Sequence, residues 1–186
     1  MSNGVLLALG IMSGLTAALP DPEIVWECRV GGNLLGTPVF FPFVDQPDGV
    51  LTWIDDGRLV FVDAQGRLVW EKDMGEAGQA SPAIGDLDQD GSPEIVTATY
   101  SGVVVALDAD GGEIWRYPLG ADVKDWGSCS LVDLDGDGNL DVLVGDMDGW
   151  MTCLSHDGRL KWRFKADEQK ASSPAYAPVG TARGPL

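Results

Sequence analysis

The chain has 186 residues, 45% of them hydrophobic, which is enough for one ordinary domain with a buried core and excludes a disordered chain. Its 12 basic and 29 acidic residues give a net charge of −17, and such a surface repels phosphate backbones and anionic lipid headgroups. We therefore expect no nucleic-acid partner, and membrane contact only through a possible N-terminal anchor.

The first 19 residues carry no charge. They contain the apolar run Val5–Met12 and small residues at Thr16–Ala18, a pattern typical of a secretory signal with its cleavage region. No Lys or Arg lies near Met1, and two alternatives stay open: an uncleaved membrane anchor, and a buried apolar strand or helix. We predict a signal-like segment over residues 1–19 and a secreted, periplasmic or cell-surface protein.

The three cysteines, Cys28, Cys129 and Cys153, form neither a CxxC pair nor an even-numbered disulfide framework. This spacing favours buried free thiols. A disulfide between Cys129 and Cys153 would suit an exported protein, but the spacing does not identify one.

A repeat is visible in the glycines and tryptophans. The same interval of 13 residues separates a Gly from a Trp three times, at Gly57 and Trp70, Gly102 and Trp115, and Gly149 and Trp162. Each interval predicts a strand, a tight Gly-containing turn and a second strand that carries the Trp. Further segments open at Thr37-Pro38, Ser81-Pro82, Ser128-Cys129 and Ser173-Pro174, so the repeats are 44, 47 and 45 residues long.

Four short strands in each repeat, with no helical periodicity, predict the blade of a β-propeller. In the second repeat we expect strands near Ala80–Leu87, Ile95–Tyr100, Val103–Ala109 and Glu113–Tyr117. The inner strands are nearly continuous in apolar residues, which indicates burial on both faces. A β-sandwich is the alternative, but its strands need not repeat the order of Gly, Asp, Gly and Trp.

The predicted fold is therefore all-β, a propeller arc of about three complete four-stranded blades with partial blades at both ends. The propeller domain is predicted over 23–186, with blades at about 37–75, 81–120 and 128–166 and partial-blade strands at 23–30 and 172–186. Propellers close with about 4 to 8 blades, so three would leave apolar faces uncovered. We expect either a fragment of a longer protein or a protomer that associates with itself.

Two loops between predicted strands, 86–94 and 133–141, place carboxylates at alternate positions. Ca²⁺ takes about 6 to 8 oxygen ligands, and a loop of this kind can wrap it where a Gly permits the turn. An EF-hand is excluded, because its twelfth position is a Glu and its loop joins helices, whereas Thr97 and Val144 lie in predicted strands. A solvated acidic turn without an ion remains the alternative. Zinc is disfavoured, since His156 stands alone and the thiols are unpaired.

The two loops resemble the FG-GAP-like repeat of integrin-type propellers, and residues 102–115 resemble repeats of pyrroloquinoline-quinone-type propellers, including those that bind no quinone. The resemblance implies one Ca²⁺ per loop with a structural role. The implied ligands are the side chains of Asp133, Asp135, Asp137 and Asp141 with the carbonyl of Asn139, and the side chains of Asp86, Asp88, Asp90 and Glu94 with the carbonyl of Ser92. In the first loop, Pro93 and Glu94 depart from the ligand pattern of the family. The Phe-Gly and Gly-Ala-Pro landmarks of the integrin repeat are absent, so an adhesive role is not implied.

We predict a calcium-stabilised propeller module that binds a protein or a glycan through the loops at one end. The alternative is part of a quinoprotein-like dehydrogenase or of a polysaccharide-cleaving enzyme on the same fold. An enzyme is the less favoured hypothesis, because the sequence has no Gly-x-Ser-x-Gly elbow, no Cys–His constellation and no phosphate loop.

The tryptophans fall into two groups. Trp70, Trp115 and Trp162 recur at one position of the repeat, which favours packing between blades over a carbohydrate-stacking platform. The others that we single out, Trp53, Trp126 and Trp150, depart from the repeat and are our candidates for ligand contact.

Overall fold

The computed structural model describes residues 24–41, 48–78, 80–120 and 127–166 with their side chains, and the backbone of residues 5–9. In this part of the chain there are fourteen strands and no helix. The strands are β1 (Val5–Leu9), β2 (Ile24–Arg29), β3 (Leu34–Phe41), β4 (Gly49–Ile54), β5 (Arg58–Asp63), β6 (Leu68–Asp73), β7 (Ala83–Gly85), β8 (Glu94–Ala98), β9 (Val103–Leu107), β10 (Glu113–Pro118), β11 (Ser130–Val132), β12 (Asp141–Gly145), β13 (Trp150–Leu154) and β14 (Leu160–Lys165).

Three of the sheets have four strands each, joined in sequence order and paired antiparallel: β3 to β6, β7 to β10 and β11 to β14. We call these sheets blade 1, blade 2 and blade 3. They confirm the predicted all-β class and the four-stranded unit. The strand predicted at Ala80–Leu87 is shorter, because Pro82 has no N–H for a ladder and the first acidic loop begins at Asp86.

The apolar N-terminal segment includes β1, which pairs antiparallel with β2. A strand was one of the forms that the sequence left open here, and the signal function stays a prediction. Within the described ranges no helix is long and apolar enough to cross a membrane. The partial-blade strand predicted at 172–186 and the opening at Ser173-Pro174 lie outside the described residues.

The hydrophobic core lies between the blades. The middle strands are buried on both faces, as in β8, where every residue from Glu94 to Ala98 is buried. One core cluster combines blade 1 with blade 2 and contains Phe41, Leu51, Trp53, Leu59, Phe61, Ile95, Val105 and Leu107. A second cluster joins blade 2 to blade 3, and includes Val96 and Val144. Face-to-face stacking of consecutive sheets therefore explains the nearly continuous apolar strands.

The repeated tryptophans connect each blade to the next one. Trp70 Nε1 donates to the carbonyl of Ala109 over 3.1 Å, and Trp115 Nε1 donates to the carbonyl of His156 over 2.7 Å. Each acceptor lies in the turn between the two outer strands of the following blade. The predicted packing role is confirmed for both residues, whereas Trp162 keeps 42% of its surface exposed.

The three cysteines are free and buried, as the sequence favoured. Burial raises the pKa of the Cys129 thiol to about 12. Burial, with the nearby Asp141 carboxylate, raises the pKa of Cys153 to about 11.

We expect these thiols to be unreactive in the folded protein. The reactive species is the thiolate, which such pKa values make rare at about pH 8. A chromogenic disulfide reagent should therefore label the native protein slowly and label all three cysteines rapidly in guanidinium chloride. Rapid labelling of Cys129 in the native state would contradict this expectation.

Candidate metal centre

The two acidic loops join the first two strands of blades 2 and 3. Loop A, residues 86–93, connects β7 to β8, and loop B, residues 133–140, connects β11 to β12. Strands β7 and β11 lie next to each other, so the two loops emerge side by side. Glu94 and Asp141, the first residues of β8 and β12, complete the two acidic sets.

Each loop is folded around its own carboxylates. In loop A, Asp86 Oδ2 accepts the Gly91 N–H over 3.0 Å. In loop B, the equivalent Asp133 Oδ2 accepts the Gly138 N–H over 3.0 Å. Short Asp side chains that bond backbone N–H groups a few residues ahead stabilise tight turns, and the glycines supply the positive φ that these turns need.

Loop A brings three of its predicted ligands together. Asp86, Asp88 and Glu94 each present a carboxylate oxygen, and these oxygens lie within 4.8 Å of one another. Asp90 is outside this trio, and its Oδ1 accepts the Ser92 N–H over 2.7 Å. In the described ranges, no Lys, Arg or His forms an ion pair with any of these carboxylates.

The carboxylates of loop A are not neutralised by a basic side chain in the described ranges. Asp86 Oδ1 is buried without a hydrogen-bond partner, a state that costs roughly 1–3 kcal/mol or more for a charged group. Burial raises the pKa of Glu94, and the carboxylates of Asp88, Asp90 and Asp86 raise it further, although the Leu87 N–H that binds Glu94 Oε2 over 2.7 Å opposes this. An all-oxygen donor set with one unpaired buried oxygen fits a hard divalent cation such as Ca²⁺.

Loop B also brings three predicted ligands together, Asp133, Asp135 and Asp137, with carboxylate oxygens within 4.8 Å of one another. Here, however, a basic residue takes part. Lys161 Nζ lies 2.6 Å from Asp135 Oδ2 and 2.7 Å from Asp141 Oδ1. Hydrogen bonds from the Lys161 ammonium lower the pKa of Asp135.

The two loops contact each other directly. The Leu140 N–H of loop B donates to the Leu87 carbonyl of loop A over 2.9 Å. Leu87 is also the residue whose N–H binds Glu94, so the carboxylate trio of loop A is linked to the interface between blades 2 and 3.

The predicted roles of the Ser92 and Asn139 carbonyls as ligands stay predictions. The Asn139 side chain accepts a long hydrogen bond of 3.4 Å from Gln89.

Two of the proposed ligand-contacting tryptophans lie in the described residues, and the prediction is wrong for Trp53. Trp53 is fully buried, and its Nε1 donates to Thr97 Oγ1 of blade 2 over 3.0 Å. Trp150 is half-buried beneath the guanidinium of Arg163, 4.8 Å from the ring centroid. Trp126 lies outside the described residues, so its ligand contact stays a prediction.

Lys161 was not singled out from the sequence, although a signal for it existed. It precedes the repeated Trp162, at the position that Val69 and Ile114 occupy in blades 1 and 2. The signal is a charged residue at a repeat position that is apolar in the other two blades.

Two protein-family profiles match the chain. The FG-GAP-like repeat matches residues 86–144, which include both acidic loops. The Lambda-carrageenase beta-propeller domain matches residues 128–180. No curated protein matches the sequence.

Solved structures share the fold at low sequence identity. BamB from Moraxella catarrhalis is similar with a TM-score of 0.58 and 22% identity, over 77% of this chain and 40% of BamB. BBS1N, crystallised with ARL6DN, has a TM-score of 0.57 and 17% identity, over 80% of this chain and 46% of its own. The V. cholerae biofilm matrix protein Bap1 has a TM-score of 0.62 and 20% identity, over 82% of this chain and 24% of Bap1. The chain thus spans less than half the length of these proteins.

Proposed function

We propose that this chain, a β-propeller repeat module whose residues 86–144 match the FG-GAP-like repeat, is a calcium-stabilised recognition module of an exported or cell-surface protein and binds a protein or a glycan. The single observation that supports calcium most strongly is the unpaired, buried Asp86 Oδ1 beside the carboxylates of Asp88 and Glu94. Asp86, Asp88 and Glu94 would hold the ion in loop A. Its contribution would be to neutralise their charge and fix the turn between β7 and β8.

The position of the ion would also make it structural for the interface between blades 2 and 3. Loop A reaches the next blade through the Leu87 carbonyl, which accepts the Leu140 N–H. A cation that fixes loop A would therefore fix this contact as well. Stability of the interface between blades 2 and 3 should then depend on Ca²⁺.

We expect chelation of Ca²⁺ to lower the melting temperature of the wild-type protein. A ligand present at about 100 times its Kd stabilises the folded state by about 2.7 kcal/mol, which for a chain of this size is a shift of about 5–10 °C. Asp88→Asn removes one charged ligand at an exposed position, so this variant should lose most of the response to Ca²⁺. Differential scanning fluorimetry with and without chelator measures both effects.

Asp148→Asn is the matched control, because Asp148 is an exposed Asp in a turn outside both loops. It should keep the full response to Ca²⁺. Identical melting curves for wild type in Ca²⁺ and in chelator, together with no heat of Ca²⁺ binding by calorimetry, would refute the calcium proposal.

A glycan ligand is supported by the family match over residues 128–180, since that family is the propeller domain of a lambda-carrageenase. The same match favours a second candidate, part of an enzyme that cleaves a polysaccharide. Incubation with lambda-carrageenan distinguishes the two. Retention of the glycan without new reducing ends supports recognition, whereas new reducing ends support cleavage. If neither is observed with this or other polysaccharides, a protein remains as the ligand of the recognition module.

A further inference from the structure

Lys161 reaches loop B from the outer edge of blade 3. It belongs to β14, whereas Asp141 begins β12, two strands further in. The pairing of β13 with β14 shifts at this point: Leu154 pairs with Leu160 and Cys153 with Trp162, so Lys161 is the extra residue of a β-bulge. Bulges re-aim the side chain of the extra residue, and here the ammonium ends 2.7 and 2.8 Å from the two oxygens of Asp141.

The same bulge recurs in the other blades with apolar residues. In blade 2, Leu107 pairs with Glu113 and Ala106 with Trp115, which leaves Ile114 as the extra residue. In blade 1 the extra residue is Val69. Ile114 carries no charge, and the basic residue of β10, Arg116, pairs with Glu113, so β10 supplies no cation to loop A in the way that β14 supplies Lys161 to loop B.

The carboxylates of the two loops also differ in their hydrogen bonds. Asp133 Oδ1 in loop B accepts the Gly136 N–H over 2.7 Å, while the equivalent Asp86 Oδ1 in loop A has no partner. Asp141 is 3% exposed and would be a buried, unpaired carboxylate without the lysine. Among the described residues, loop B therefore has a cation beside its carboxylates and loop A has none.

We propose that Lys161 is the resident cation of loop B, neutralising Asp135 and Asp141 in place of a metal ion, so that loop A binds calcium tightly and loop B binds it weakly. This inference rests on the calcium binding proposed above. A divalent ion entering loop B competes with the ammonium for Asp135, which is shared between the carboxylate trio and Lys161. It is also repelled by the positive charge that remains nearby.

The test exchanges the bulge residues between blades and titrates Ca²⁺ by calorimetry. Wild type should show one tight site, abolished by Asp88→Asn, and one weaker site, abolished by Asp137→Asn. Lys161→Ile should tighten the loop B site by about tenfold, the size of a typical coupling between neighbouring sites. Ile114→Lys, at an exposed position, should weaken the loop A site by a similar factor. Unchanged affinities in both exchange variants would overturn the inference while leaving calcium binding intact.

A second measurement needs no metal. In chelator, Lys161→Met keeps the apolar stem but leaves Asp141 without a counter-ion, so its melting temperature should fall by several degrees, while Lys161→Arg should retain most of the stability. If wild type binds no Ca²⁺ and these two variants behave as expected, the calcium proposal fails and the resident-cation role stands. Equal melting temperatures for wild type and Lys161→Met in chelator would overturn that role.

Discussion

Trp53→Ala is expected to destabilise the protein by about 3–5 kcal/mol, the range for truncation of a large aromatic residue in a core. Trp53 is fully buried in β4 and belongs to the core cluster shared by blades 1 and 2. Its truncation leaves a cavity between the blades and removes the hydrogen bond from Nε1 to Thr97 Oγ1. Urea unfolding followed by circular dichroism measures the loss.

Trp162→Ala is the matched control, because it makes the same substitution at a Trp that is 42% exposed in the described part of the chain. Its loss should be well below that of Trp53→Ala. Two variants separate the contribution of the hydrogen bond from that of packing. Trp53→Phe leaves the Thr97 hydroxyl without its donor. Trp53→Phe combined with Thr97→Val removes both polar groups and should recover part of the lost stability. A loss at Trp53 no larger than at Trp162 would contradict the assignment of Trp53 to the core.

The repeat was predictable because equivalent residues meet equivalent neighbours. The interval from Gly to Trp recurs since the Trp side chain must reach a turn of the next blade, and Trp70 and Trp115 do this with hydrogen bonds to Ala109 and His156. Sheet order followed from strand count and short connections alone.

The prediction for Trp53 is wrong because a departure from the repeat does not imply an exposed side chain. The better signal was local: residues 50–54 are apolar except for Thr52, as expected of a strand covered on both faces, and Leu51 to Ile54 are all buried. A large side chain in such a strand fills space between sheets. The repeat positions equivalent to Trp53 in blades 2 and 3 are Ala98 and Gly145, so the same gap is filled differently in each blade.

The acidic loops were predictable from spacing, but their difference was not. Alternate carboxylates and glycines define the turn within nine residues of sequence. The contact of Lys161 with Asp141 spans three strands and depends on a bulge, which the spacing of residues in one loop does not encode. Likewise, Asp86 Oδ1 is unpaired while the equivalent Asp133 Oδ1 accepts the Gly136 N–H, a difference that the spacing of the carboxylates does not predict.

Gly158→Ala is the second change expected to have a large effect. Gly158 has a φ of +79°, and an added Cβ would lie 2.7 Å from Cδ2 of the Trp115 ring. The left-handed backbone conformation costs Ala roughly 1–2 kcal/mol, and the clash with the ring should add roughly 1–3 kcal/mol. The free energy of unfolding in urea should therefore fall by about 2–5 kcal/mol.

Gly120→Ala isolates the clash, because Gly120 has a φ of +81° and nothing lies within 4 Å of its added Cβ. It should show the backbone cost alone. The equivalent glycines provide a graded series: an added Cβ would lie 2.9 Å from Trp26 at Gly66 and 3.3 Å from Trp70 at Gly111, so the losses should decrease from Gly158 to Gly66 to Gly111. Combining Gly158→Ala with Trp115→Phe should relieve the clash, since the smaller ring leaves room for the methyl group. Equal losses at Gly158 and Gly120 would contradict the expected clash and show that the Trp115 ring does not press on the turn at Gly158.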